Sequence, residues 1–361
     1  MILVDFAHLC NRYIFTTISS AKPKKINGKV VTEDISGLFV HGVITNLLYL
    51  AKEFSKEYGE LVLALEGKSW RKDFFPEYKE HRNKKRNDSE VNWDEMFKII
   101  TDLSSSLKNH FGIRTIQTNR AEGDDVIAVL VKNSSEKSLI VSSDKDFKQL
   151  CLYDHATLFD PIKKEIVTFQ SKSEIESELI KHIIKGDESD NIPSIISREK
   201  FSPEFIAYLK ENEIFINNPE EFFNLEISKH LVENFNIFET YTSGKNKGKE
   251  KETKAIYKKA FLTEKRIKEI EEIIKEKSDD YLLKLFEFNK KLIDFTEIPK
   301  EVEKEILEAF KNSEKIEANP MKMMNFCLKY RLVNLVKNLQ FFHSNQVKKS
   351  ELSTDLSEWW Y

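Results

Sequence analysis

The sequence predicts an α/β fold in which a mainly parallel central sheet is flanked by helices and followed by a smaller helical C-terminal domain. Short apolar runs at 1–4, 61–65 and 138–141 have the length of buried strands. Between them, apolar residues recur at helical spacing in 40–53 and 93–111. Strands that alternate with helices imply crossover connections and therefore parallel pairing.

The character of the chain changes after about residue 180, where long charged segments with helical periodicity replace the strand-like runs. A Gly/Ser/Lys-rich stretch, TSGKNKGKEKET at 242–253, is typical of a flexible loop. The predicted organisation is an α/β domain at 1–182, a helical domain at 183–343 with a Lys-rich insertion at about 242–260, and a tail at 344–361.

Composition excludes several classes of protein. The 361 residues carry 57 Lys+Arg against 60 Asp+Glu, a formal net charge of −3, which disfavours a histone-like coat that binds through bulk positive charge. The apolar runs are too short for a membrane span, and the first residues lack the basic region of a signal peptide. The three cysteines have no disulfide or zinc spacing and are expected to be buried hydrophobic residues. We therefore expect a cytoplasmic protein that contacts no membrane.

Acidic residues fall at or just beyond the ends of the three predicted strands, namely Asp5, Glu66 and Asp144. Ligands of parallel α/β sheets gather at the carboxyl ends of the strands, where these side chains would meet. A simpler explanation is that acidic residues favour turns and helix N-termini. That explanation accounts well for the position of a single acid but less well for the positions of all three together.

Three acidic clusters also follow one another along the chain: EGDD at 122–125, SSDKDF at 142–147 and KGDESDN at 185–191. Carboxylate oxygens of this kind suit Mg²⁺ or Mn²⁺. Two such ions about 4 Å apart can activate a water and stabilise the leaving oxygen of a phosphodiester. The clusters contain no His or Cys, which disfavours zinc.

Positive charge is concentrated at 68–86, where eight Lys/Arg face three acids and aromatic residues are interleaved. This segment is either a solvated basic face or a surface that steers a single strand of nucleic acid. Residues 83–92 are mostly polar and are expected to be mobile without substrate. A second Lys-rich segment, at 245–259, is either a duplex-binding element or a solvated loop.

The order of these motifs, with WRKDFFPEYKEHR at 70–82 and SSDKDFKQL at 142–150, resembles the 5′-nuclease family of flap endonucleases and polymerase-associated 5′–3′ exonucleases. Within that family the chain is most similar to the ribonuclease H type of T-even bacteriophages, over nearly all residues to about 342. The resemblance implies a PIN-like 5′-nuclease fold. Two departures stand out: Glu66 where the family usually has Asp, and no glycine in IPSIISREK at 192–200, where a potassium-bound duplex site is therefore not expected.

The resemblance also implies roles for individual residues. The first metal cluster would comprise Asp5, Glu66, Glu122, Asp124 and Asp144, and the second Asp146, Asp187 and Asp190, with Asp125 nearby. The catalytic, phosphate-facing cations would be Arg71, Lys79 and Arg82. Further nucleic-acid contacts would come from Lys72, Lys84, Lys85, Arg86, Arg198 and Lys200.

The implied activity is that of a Mg²⁺-dependent 5′–3′ exonuclease and flap endonuclease that removes RNA primers and adjacent DNA from lagging-strand fragments. Its substrates would be RNA/DNA hybrids and nicked or flapped duplex DNA, and it would act as a monomer in the cytoplasm, that of the host if the protein is phage-encoded. A sliding clamp and a single-strand-binding protein are the expected partners; the tail ending in Trp-Trp-Tyr at 359–361 would either dock on one of them or pack on the body. Two rivals remain: a PIN-type ribonuclease acting on single-stranded RNA, and a non-catalytic nucleic-acid-binding protein.

Overall fold

Residues 1–199, 201–216, 219, 237–240, 250–253, 263–313 and 316–338 are described by the computed structural model. The chain forms two compact units. The first unit comprises 1–74, 82–175 and 298–361, and the second comprises 75–81 and 176–297.

A six-stranded sheet organises the described part of the first unit. The strands of this unit are β1 (Ile2–Asp5), β2 (Lys25–Ile26), β3 (Lys29–Val30), β4 (Leu61–Ala64), β5 (Arg114–Ile116), β6 (Ser138–Val141), β7 (Ala156–Asp160) and β8 (Glu165–Ile166). The sheet order is β5-β4-β1-β6-β7-β8, and β2 and β3 form a separate hairpin. Within the six-stranded sheet, all neighbouring strands are parallel except β7 and β8, which are antiparallel. The predicted mainly parallel sheet is thus confirmed.

Helices make up most of the remaining described chain. They are α1 (Phe6–Ala21), α2 (Glu33–Tyr58), α3 (His81–Asp88), α4 (Trp93–Asn109), α5 (Gly123–Lys132), α6 (Lys172–Lys185), α7 (Pro203–Glu211), α8 (Glu264–Glu276), α9 (Asp280–Ile293), α10 (Lys300–Asn312) and α11 (Pro320–Lys329). Each segment predicted as helical from its periodicity lies on one of them. The segment 83–92, expected to be mobile without substrate, begins within α3; its mobility stays a prediction.

The helix α2 forms the centre of the core of the first unit. Its Val40, Val43, Ile44 and Leu47 have no exposed surface and join one apolar cluster with residues of β1 and α1. Each such burial contributes about 1.5–3 kcal/mol. Residues 35–58 are long and apolar enough to cross a bilayer, but half of that window is buried within the protein, and core packing accounts for its composition.

The cysteines are buried hydrophobic residues, as expected. Cys10 and Cys327 are buried, Cys151 is half-buried, and all three are free thiols. Burial raises the pKa of Cys151 and of Cys327 to about 11, so neither is a thiolate at neutral pH.

The chain returns to the first unit at α10. Glu303 of this helix accepts hydrogen bonds from Lys132 (3.0 Å) and from the Asn133 side chain (2.8 Å), at the end of α5. The Arg114 guanidinium of β5 lies 4.8 Å from the ring centre of Phe310. These contacts place 298–338 with the sheet, whereas the sequence assigned the whole of 183–343 to a helical second domain.

The following helix, α11, is tied to α4 through Asp102. The Asp102 carboxylate accepts hydrogen bonds from the Lys329 ammonium and from the Tyr330 hydroxyl, both at 2.8 Å. Burial raises the pKa of Asp102, but these hydrogen bonds outweigh burial and leave the pKa below its usual value of 3.8. A carboxyl whose pKa is lowered on folding stabilises the fold above its unfolded pKa, and this stabilisation is lost as the pH falls through the folded pKa.

Asp102→Asn is therefore expected to lower the free energy of unfolding at pH 7, by at most about 1 kcal/mol because the pair is partly exposed. The difference from wild type should shrink below about pH 4. Urea denaturation at pH 7 and pH 3 measures both values, and an undiminished difference at pH 3 would contradict the assigned role of the ionised carboxylate.

The described part of the second unit contains helices, a short turn and a hairpin. The hairpin pairs β9 (Ile237–Thr240) with β10 (Glu250–Thr253) in antiparallel fashion. Residues 250–253, at the end of the predicted flexible loop at 242–253, therefore form a strand. Residues 241–249 lie outside the described residues. The predicted tail at 344–361 also lies outside them.

Candidate metal centre

The carboxyl ends of β4, β1 and β6 lie side by side, and the chain changes direction across the sheet at β1. After β1 it builds β4 and β5 on one side, then crosses to β6 and β7 on the other. Open α/β sheets bind ligands at such a switch point. Asp5 is the last residue of β1, and Asp144 follows β6, so the structure brings these two predicted ligands to the switch point.

Both carboxylates are held by short-range hydrogen bonds. Asp5 caps α1, with Oδ1 accepting from the His8 backbone N–H at 2.9 Å. Its Oδ2 accepts from the hydroxyl of Ser142 at 3.1 Å, and the Ser142 oxygen in turn accepts from the Asp144 backbone N–H at 3.1 Å. Ser142 is fully buried, so it fixes the spacing of the two acids. Asp5 thus caps a helix and also converges with Asp144 at one edge of the sheet.

The charge on this edge is incompletely compensated. Burial raises the pKa of Asp5, the backbone hydrogen bond from His8 lowers it, and the charge of Asp144 raises it further. The net effect is an increase. A nearby cation would reverse it, because an opposite charge favours the ionised form of a carboxyl.

The acids at the start of α5 are paired with a buried cation from another segment. The Arg71 guanidinium contacts Asp125 Oδ1 at 2.9 Å and Glu122 Oε2 at 3.2 Å. Arg71 is 3% exposed and stacks on Trp70, with 4.7 Å to the ring centre. Arg71 therefore does not face solvent in this structure, and it pairs with the two acids. The phosphate-facing role predicted for it stays a prediction.

The remaining two acids of the predicted first cluster, Asp124 and Glu66, lie close to the same helix start. Asp124 lies in the first turn of α5 and is half-buried. One side-chain oxygen of Glu66 lies 3.7 Å from the position that a Cβ on Gly123 would occupy. The loop carrying Glu66 approaches the next one so closely that a Cβ on Gly67 would lie 2.0 Å from the Thr118 carbonyl oxygen. Glu66 is exposed at the rim, and its metal coordination stays a prediction.

The second unit carries the other predicted ligands, Asp187 and Asp190. Asp187 Oδ1 accepts from the Ser189 N–H at 2.7 Å, and its Oδ2 lies 3.2 Å from His182 Nε2. A histidine thus adjoins this cluster, which the sequence motifs did not indicate. Asp190 accepts a hydrogen bond from the Tyr78 hydroxyl at 3.0 Å.

Lys79 belongs to this same acidic turn. Its ammonium lies 3.5 Å from Asp190 Oδ2, and its backbone N–H donates to the Asp190 carbonyl oxygen at 3.0 Å. The side-chain amide of Asn191 donates to the Glu77 carbonyl oxygen at 2.8 Å. The segment 75–81 therefore folds with 187–191. The sequence did not predict this pairing, because the two segments lie far apart in the chain. Joint coordination by Asp146, Asp187 and Asp190 stays a prediction.

The other predicted cations are distributed along the surface. Lys72 and Lys85 are exposed, Arg82 is half-buried at the start of α3, and Arg86 lies over two aromatic rings. The side chains of Lys84 and Arg198, and the whole of Lys200, lie outside the described residues.

The donors in the first unit fit a hard divalent cation. Asp5, Glu122, Asp124 and Asp144 offer only oxygen, and the raised pKa of Asp5 indicates a need for positive charge at the edge. Sequence reasoning named these acids but missed the groups that hold them. Ser142 is the first residue of the SSDKDF motif and could have been identified from it. Ser69, which donates to Glu122 Oε2 at 2.7 Å, carried no signal.

Residues 1–179 match the family model described as 5′–3′ exonuclease, N-terminal resolvase-like domain. The chain is 35% identical to the ribonuclease H of Enterobacteria phage T4 over 150 residues, 40% of this chain and 49% of that protein. It is 30% identical to the flap endonuclease Xni of Shewanella pealeana over 207 residues, 54% of this chain and 70% of that protein.

The matched region spans about half the length of the T4 protein. Among solved structures, a bacteriophage T5 flap endonuclease in complex with DNA and metal ions aligns with 86% of this chain and 99% of its own. The TM-score of that alignment is 0.48 and the identity is 19%.

Proposed function

The chain belongs to the 5′-nuclease family, and from this premise we propose that it is a Mg²⁺-dependent 5′–3′ exonuclease and flap endonuclease. In this proposal it removes RNA primers and adjacent DNA during lagging-strand replication. The observation that carries the proposal is the convergence of Asp5 and Asp144, through Ser142, at the switch point of the sheet.

Two groups of acids would hold the ions in this proposal. The first comprises Asp5, Glu66, Glu122, Asp124 and Asp144, and the second Asp146, Asp187 and Asp190. When bound, divalent ions supply Lewis-acid activation of water and neutralise charge that develops on the phosphodiester.

The chain's own groups position the acids and the substrate. Ser142 sets the spacing of Asp5 and Asp144. Burial raises the pKa of Asp125, and the charge of Arg71 offsets part of that increase. Lys79 and Arg82 would orient the scissile phosphate; the Lys79 ammonium lies beside Asp190 of the second cluster, and Arg82 is at the start of α3. A sliding clamp, a single-strand-binding protein and monomeric action in the cytoplasm belong to the proposal as well.

A titration with Mg²⁺ tests the activity. The full chain, incubated with a duplex bearing a 5′-RNA segment, is expected to release short 5′ products in proportion to added Mg²⁺, and none in EDTA. Gel sizing of a 5′-labelled and a 3′-labelled substrate determines the direction of cleavage. A plain RNA strand in parallel serves as the control: preferential cutting of that strand would favour a single-strand ribonuclease and overturn the proposal.

A further inference from the structure

An exposed aromatic cluster lies on the first unit, apart from the acidic clusters. It comprises Phe15 of α1, Trp93 and Phe97 of α4, and Arg86 of α3, and is called here the aromatic patch. Phe15 is 50% exposed and Phe97 is 42% exposed. Exposed aromatic rings that form a contiguous group, rather than lying singly, usually mark a binding surface.

The rings of the aromatic patch are held in place before any ligand binds. The centres of Phe15 and Trp93 are 6.2 Å apart, and those of Trp93 and Phe97 are 5.6 Å apart. The indole N–H of Trp93 donates to the hydroxyl of Ser89 at 2.8 Å, and the inner part of Trp93 packs on the core. Trp93 therefore anchors the patch, while Phe15 and Phe97 leave large apolar surfaces in water.

Positive charge lies directly over these rings. The Arg86 guanidinium is 5.7 Å from the ring centre of Trp93 and 5.4 Å from that of Phe97. Its helix, α3, has the sequence HRNKKRND, in which four cations face one acid. An apolar protein partner would have to desolvate these cations without compensation, whereas the phosphates of a nucleic acid would pair with them.

The aromatic patch and the candidate metal centre both lie toward the carboxyl ends of the sheet strands. The 26 residues of α2 extend about 39 Å and lead directly into β4, which has four residues and spans only about 13 Å. The start of α2 therefore projects beyond the carboxyl ends of the strands. The hairpin that precedes α2 binds the segment before α4, with the Val30 N–H donating to the Glu90 carbonyl oxygen at 2.8 Å.

Arg86 connects the aromatic patch to the metal centre electrostatically. Burial lowers the pKa of Arg86 and the charge of Arg82 lowers it further, while Glu66 is near enough for its charge to raise it. Glu66 stands at the rim of the acidic edge.

We propose that the aromatic patch is a stacking platform for unpaired bases of a single-stranded segment, with Phe15 and Phe97 contacting the bases and Arg86 contacting the phosphates. The inference rests on the proposed function for its ligand class and adds a site that recognises bases by their faces rather than by sequence. Stacking on aromatic rings contributes to single-strand affinity for every base, because each base has a π-face.

Equilibrium binding in EDTA tests the platform without cleavage. A labelled ten-nucleotide single strand of DNA is titrated with the full chain, and fluorescence anisotropy gives the dissociation constant. The double variant Phe15→Ala, Phe97→Ala is expected to bind at least about tenfold more weakly, since one stacked base contributes roughly a factor of 5 to 150. An abasic strand with the same number of phosphates should bind wild type and the double variant equally weakly.

Two further variants serve as controls. Phe215→Ala removes an 88% exposed aromatic ring of the second unit and should leave the dissociation constant unchanged. Phe97→Tyr keeps an aromatic face and should retain wild-type affinity. Unchanged affinity of the double variant, or equal affinity of wild type for the normal and abasic strands, would overturn the platform. Neither result bears on hydrolysis, which the Mg²⁺ titration measures separately.

Discussion

Asp144→Asn is expected to reduce Mg²⁺-dependent hydrolysis more than about 100-fold while leaving substrate binding within a few-fold of wild type. Loss of a partner outside the ligand shell commonly costs about 10- to 100-fold in metal affinity or activity, and loss of a ligand charge should cost more. The variant should fold normally, because the oxygen of an Asn side chain can still accept the hydrogen bond that the Asp146 N–H donates to Asp144 Oδ1 at 3.0 Å.

Single-turnover cleavage of the 5′-RNA-tailed duplex measures the rate, and anisotropy in EDTA measures binding. Asp154→Asn is the matched control, since Asp154 is a solvent-exposed aspartate paired with Lys172 and lies in no acidic cluster. Asp154→Asn should cleave at the wild-type rate. Full activity of Asp144→Asn would remove this residue from the metal centre and with it the central observation behind the proposed function.

Arg71→Met is expected to lower the free energy of unfolding by about 3–5 kcal/mol in metal-free buffer. Removing one partner of a buried ion pair leaves the other charge buried and uncompensated, which is the costly case. Here two carboxylates, Glu122 and Asp125, would lose their common partner. Asp125 is fully buried, and its backbone-facing oxygen accepts from the Glu122 N–H at 3.1 Å, so it cannot turn to water without breaking the start of α5.

Urea denaturation followed by far-UV circular dichroism gives the unfolding free energy. Lys72→Met is the control, because Lys72 neighbours Arg71 in the chain but is exposed. Adding Asp125→Asn to Arg71→Met should recover part of the loss, since it removes one of the uncompensated charges. If Arg71→Met were as stable as Lys72→Met, Arg71 would not be the internal counterion of these acids.

Positions that depend on local pattern were predictable from the sequence. Short apolar runs with an acid at or just beyond their ends identified the ends of β1 and β6, because the alternation of short strands with helices dictates a parallel sheet whose carboxyl ends coincide. The acids at 122–125 lie at the start of α5, where carboxylates favour the first turn. The family resemblance grouped Glu66 with them, and the structure puts its side chain beside Gly123.

Pairings between distant segments required the tertiary structure. The composition of 68–86 counted Arg71 as one more surface cation, yet its burial depends on the folding of 70–73 against α5. The association of Lys79 with Asp190, and the return of α10 to the sheet, likewise follow from contacts far apart in the chain.

The sequence by itself determined that the sheet is mainly parallel, and it located the three strands that end at or just before Asp5, Glu66 and Asp144, because these features follow from local periodicity. The tertiary structure alone decided which cations neutralise acids, which remain at the surface, and that Phe15 and Trp93 meet in one patch. The physical reason is that the state of a charged or aromatic side chain depends on its burial and its neighbours, and both are set by segments that the chain brings together only on folding.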